Sequence, residues 1–158
     1  MLRAVVAVAL AAALLGTTLP AVETAQRERT ATHVAGEVDQ LTTAIADLRA
    51  REQAVAAQGA RRVVSVRVPQ RDWDHAGVDY LIIGGAPGGG TTARNGPAIA
   101  WRVSGGTERQ RRLPGASVEA VATPCDRPLV VREAGRHRIV LSLVWRDGER
   151  RVLVRHVG

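Results

Sequence analysis

From Ala4 to Val22 no side chain carries a charge, and this run of 19 residues limits the fold more than any other feature of the chain. As a helix it spans about 28 Å at ~1.5 Å per residue, close to the ~30 Å hydrocarbon core of a bilayer. Three readings compete for it. The first is a cleaved secretory signal, with Arg3 as its basic end, Ala4–Leu15 as its apolar centre and cleavage near Ala21 or Ala25. At those sites Leu19 or Glu23 stands where a small residue is wanted. The second is an uncleaved membrane helix with a cytoplasmic N-terminus set by Arg3 and the terminal amine, although Arg27 and Arg29 place positive charge beyond the span as well. The third is a helix buried in a soluble core.

The residues after the run favour the membrane helix. Between Glu23 and Gln58 there is no Pro, and only Gly36 is unsuited to a helix. Val34, Val38, Leu41, Ile45, Leu48 and Val55 recur at spacings of 4, 3, 4, 3 and 7, which places them on one stripe with polar residues on the other faces. Pro20 lacks an N–H and is expected to kink the junction rather than end the helix. Gly59 is the expected stop.

Beyond Gly59 the period of the pattern falls to two. Arg62–Val68 alternates, with Val64, Val66 and Val68 on one face, and stops at Pro69. Tyr80–Ile83 reads as a short strand. Ala98–Val103 and Glu108–Leu113 read as a hairpin around Ser104-Gly105-Gly106-Thr107, its second arm polar and suited to a sheet edge. Ser117–Ala122 and Pro128–Arg132 are further short strands. The clearest signal is His137–Trp145 and Arg150–Val157 flanking Arg146-Asp147-Gly148-Glu149, since Asp-Gly favours a tight hairpin turn. Ile139, Leu141, Leu143 and Trp145 share one face, as do Val152 and Val154. The expected fold class is α+β: a membrane helix over residues 1–22, an amphipathic helix over 23–58, then an antiparallel β-sheet or small β-sandwich of six to eight strands over 60–158. The helix stripe is the expected cover for one sheet face.

The chemistry is narrowed by what is missing. Gly84–Thr91 fits the spacing of a phosphate-binding loop, but Gly90 occupies the lysine position and the chain contains no Lys at all. Thr92–Pro97 is turn-like and leads to a strand, whereas a phosphate loop leads into a helix N-terminus. Its glycines read instead as slack between strands, and no nucleotide is expected. His33, His75, His137 and His156 lack a second His or Cys at metal spacing, and Asp72-Trp73-Asp74-His75 reads as a solvated turn with Trp73 partly buried. The lone Cys125 can form neither an internal disulfide nor a metal cage and reads as a buried or inert thiol. The net charge of +7 is spread among acidic residues, aromatics make up 3% of the chain, and Arg61-Arg62 and Arg109–Arg112 are short runs, so no nucleic-acid partner is expected. No catalytic, cofactor-binding or metal-ligating residue is assigned, no cofactor is expected, and the chain reads as a non-enzyme.

An apolar N-terminal helix broken near Leu19-Pro20-Ala21, continuing as an amphipathic helix and leading into a β-rich domain, resembles the type IV pilin and pseudopilin plan over about 55 residues. The chain as a whole, with its MLR-apolar-LPA-V-E start and closing RDGER hairpin, is similar to a family of haloarchaeal proteins of unknown function. The resemblance implies an envelope protein associated with pilus or secretion components. Together with the residue pattern it gives a single-pass anchor touching membrane lipid through residues 4–22, an extracellular β domain, and a role in assembly rather than catalysis. The competing expectation is a secreted or anchored module whose arginines bind an anionic envelope polymer.

Overall fold

A computed structural model describes residues 2–51, 60–85, 98–113, 117–120, 128–146 and 148–157. One helix, α1, runs unbroken from Leu2 to Arg51 and passes through Pro20. The Thr24 hydroxyl donates to the Pro20 carbonyl at 2.9 Å, a back-bond that a Thr one turn later can supply. Residues 52–59, with Val55 and the expected stop at Gly59, lie outside the described residues, as do 86–97 of the glycine-rich connection and Cys125.

Eight strands are described after it: β1 (Arg61–Val68), β2 (Val78–Ile83), β3 (Ala98–Val103), β4 (Glu108–Arg112), β5 (Ser117–Ala120), β6 (Leu129–Val131), β7 (Gly135–Arg146) and β8 (Glu149–Val157). They form two four-stranded sheets, ordered β1-β7-β8-β5 and β4-β3-β2-β6. The expected hairpins are both present. Arg146 pairs with Glu149 across the tight turn, where Gly148 adopts φ 76°, a left-handed conformation that costs glycine little. The other pairings among the described strands are antiparallel, but β5 runs parallel to β8. No tight turn links those two strands, since β6 and β7 intervene, so local chemistry does not impose an antiparallel register.

Alternating burial on β1 and β8 and the stripe on α1 meet in one core. Strands β2 and β3 are instead buried on both faces, with Tyr80, Ile82 and Ala100 forming a second, small cluster. Val34, Val38, Leu41, Ile45 and Leu48 join Val66, Leu81, Ile83, Ile99, Trp101, Ile139, Leu141, Leu143, Val152 and Val154 in a single apolar cluster. Each fully buried Leu, Ile or Val contributes roughly 1.5–3 kcal/mol. The cluster draws on both sheets, so α1 does not cover the face of one sheet as the sequence suggested. It closes the open side between their edges. On one flank Glu37 accepts the outward N–H of Arg67 on edge strand β1 at 3.1 Å, and Asp47 pairs with Arg62. On the other flank Glu28 and Asp39 pair with Arg109 and Arg111 of edge strand β4. A helix over two edges satisfies or screens backbone groups that otherwise invite pairing with another chain.

Candidate functional site

The chemistry-bearing features gather at the point where α1 leaves the β domain. Toward its N-terminus the described side chains of the helix are exposed: Val8 is 70% exposed, Leu10 60% and Leu19 61%. From Thr30 onward the same helix is packed, and Leu41 is 0% exposed. This is one helix long and apolar enough, by length and composition, to cross a membrane.

Immediately after the apolar run, the turn Arg71–His75 is fastened to the helix. One carboxylate oxygen of Asp72 accepts the N–H groups of Asp74 at 2.8 Å and His75 at 2.7 Å, while the Asp72 N–H donates to the His75 carbonyl at 3.1 Å. These backbone donors are the main reason the Asp72 carboxyl lies below its usual range. Gln26 donates its side-chain amide to the Trp73 carbonyl, Arg29 pairs with Asp74 at 2.7 Å, and the His33 and His75 rings meet edge to face. Every one of these contacts uses backbone or a neighbouring side chain, so the indole of Trp73 is left outside. Expected to be partly buried, Trp73 is 84% exposed. The sequence signal for this was its setting, a lone aromatic among Arg71, Asp72, Asp74 and His75.

Beside the turn is a cleft of about 200 Å³ lined by Glu23, Arg27, Arg71, Gly77, Ser104 and Gly105. Behind it, Asp79 accepts from the Ser104 hydroxyl at 2.7 Å and from Arg102 Nε at 2.8 Å. The Ser104 bond, with help from Arg102, holds the Asp79 carboxyl below its usual range. Tyr80 donates its hydroxyl to Glu108 at 2.6 Å, with Arg102 lying 5.1 Å from the centre of its ring. That hydrogen bond, then burial, pushes the phenol above its ordinary value. The network ties β2 to β3 and β4, and each member has its partners. Satisfied in this way, it works as a brace rather than as reactive groups.

The glycine-rich stretch joins β2 to the adjacent antiparallel strand β3, and the Gly84 N–H donates to the Ala98 carbonyl at its base. At Gly85 a Cβ would come within 2.7 Å of the Pro128 ring, which accounts for that glycine by close packing. The histidines are not as isolated as their spacing suggested. The β7–β8 register brings His156 diagonal to His137, with His137 Nδ1 and His156 Nε2 3.1 Å apart. His137 Nε2 faces the Glu133 carbonyl at 2.7 Å. A carbonyl only accepts, so Nε2 is the donor there, and in the neutral imidazole Nδ1 is left to accept from His156 Nε2–H. The pair closes the end of a hairpin. Among the described residues no group of three or more His, Cys, Asp or Glu is arranged to hold a metal ion.

Neither a curated protein nor a solved structure matches the chain. A family profile does, over residues 1–157. With that match spanning the exposed half-helix, the packed half and both sheets, the chain belongs to the family described as domain of unknown function DUF7311.

Proposed function

We propose that the chain is a non-enzymatic, single-pass membrane protein of an archaeal envelope. Residues 4–22 cross the bilayer from a cytoplasmic N-terminus, and the β domain outside serves as a pilin-like or accessory part of a type IV pilus or secretion-type assembly. One observation carries the reading: a single unbroken helix is apolar, with its described side chains exposed up to Val22, and is then packed from Thr30 onward. An uncovered apolar helix of this length is stable only where lipid or neighbouring apolar helices surround it. The pilin-like role is supported by the same division of labour within one helix, an apolar half for the membrane and an amphipathic half on a sheet. The alternative, an arginine surface for an anionic polymer, is less favoured because Arg27, Arg29, Arg51, Arg62, Arg102, Arg109 and Arg111 each sit beside a carboxylate.

Fractionation tests the anchor. The full-length chain should sediment with membranes, resist washing with high salt and carbonate, and dissolve only in detergent. Release by salt alone would favour polymer binding, which screening weakens. Recovery of the intact chain from the soluble cytoplasm would end the proposal. For the assembly role, crosslinking in intact membranes should capture other envelope components, and recovery of the chain alone would count against it.

A further inference from the structure

We infer that the Arg71–His75 turn is a seat on the bilayer, with Trp73 lying in the lipid headgroup layer beside the point where α1 emerges. This rests on the anchor reading above, and it adds a second membrane contact outside the span. Three observations carry it.

The first is depth. Gln26, whose side chain holds the Trp73 carbonyl, comes four residues after Val22, the end of the uncharged run. At ~1.5 Å per residue that is about 6 Å along the axis. The headgroup layer on each side of a bilayer is roughly 5–7 Å thick, so Trp73 falls within it. The second is presentation. The Asp72 turn, the Gln26 contact and the Arg29–Asp74 pair hold the turn against the helix, while the indole is 84% exposed. A large aromatic carried on a fastened turn gains nothing by standing in water. At an interface its ring meets the acyl boundary and its N–H meets headgroup oxygens. The third is contrast within the molecule. Trp101 is 4% exposed. Trp145 is half exposed but pairs with Arg150, which reaches the Arg49 carbonyl at the other end of the packed helix. Residues 26 and 49 are separated by about 35 Å along α1, so Trp145 stands well clear of the membrane.

Charge points to the kind of surface. Around the emergence point Arg27, Arg29, Arg71 and Arg109 stand with Glu23, Glu28, Asp72 and Asp74, four cations balanced by four carboxylates. An anionic membrane is therefore not required, and zwitterionic phosphatidylcholine suffices.

The test uses the full chain reconstituted into phosphatidylcholine vesicles, with and without lipid carrying a doxyl quencher near the headgroup. Tryptophan emission should be quenched by the labelled lipid. Quenching should persist in Trp145→Phe, disappear in Trp73→Phe, and remain unchanged between low and high salt. If the chain floats with the vesicles yet its quenching is absent, or is unaffected by Trp73→Phe, the seat is overturned while the anchor stands. If the chain does not float with the vesicles, the anchor is overturned and the seat with it.

Discussion

Tyr80 is the only tyrosine of the chain, which makes its hydroxyl a private reporter of the brace between β2 and β4. Ionising it would place a phenolate 2.6 Å from the Glu108 carboxylate and discard a hydrogen bond, so the folded protein resists the loss of that proton. Linkage gives the sign. A folded-state value raised above the unfolded one contributes stability that is complete below pH ~10 and is lost as pH rises through the folded value. A titration monitored at the phenolate absorption band should therefore show a midpoint above that of free tyrosine, returning toward it on denaturation. Glu108→Gln removes the charge but keeps an acceptor, and should lower the midpoint. An ordinary midpoint in the native protein, unmoved by Glu108→Gln, would mean the contact is not made in solution. Trp73 teaches the complementary lesson at the same scale. Indole size argues for burial, but at this position the hydrogen bonds of the turn determine where the ring points.

Among the elements, the packed half of α1 is the one on which the rest depends. Its stripe closes the gap between β1 and β4 and supplies Leu41 to the centre of the shared core. Leu41→Ala should destabilise the domain by about 2–5 kcal/mol, the range for a buried leucine whose cavity only partly collapses. Chemical denaturation in detergent measures this, and a change within about 0.5 kcal/mol, typical of surface sites, would show the stripe is not packed. This stripe was legible in the sequence because burial on a helix repeats locally, at three and four residues; β1 and β8 were legible because burial there repeats at two, and β2 as a short apolar run buried on both faces. The arrangement of those strands was not. That β5 joins β8 in parallel, or that His156 comes to lie diagonal to His137, depends on registers between residues far apart in the chain. No local pattern encodes such a choice; it is settled by which edges remain free once the hairpins have formed. The Trp73 turn is an intermediate case: its polarity was visible, but its attachment to Gln26 and Arg29 spans more than 40 residues.

For the whole molecule, the anchor proposed above has a single helix serve two solvents, and this separates insertion from folding. Leu10 is 60% exposed and lies in the uncovered half, whereas Leu41 is 0% exposed in the packed half. A charge introduced at each should therefore produce opposite phenotypes. Arg near the centre of a membrane helix costs about 2.5–3.5 kcal/mol on insertion scales. Leu10→Arg should thus shift the chain from the membrane fraction toward the soluble or degraded pool, while the detergent-solubilised domain melts as the parent does. Leu41→Asp leaves the span untouched, so the chain should stay in the membrane. The carboxylate it places in the shared core has no partner there, and the β domain should lose its cooperative melting transition and become protease-sensitive. Reciprocal behaviour of the two variants would establish that Val22 to Thr30 is the border between a lipid-solvated and a protein-solvated half. If Leu10→Arg instead lowered the melting temperature of the domain, the first half of the helix would have to pack against protein, and the membrane assignment would fall.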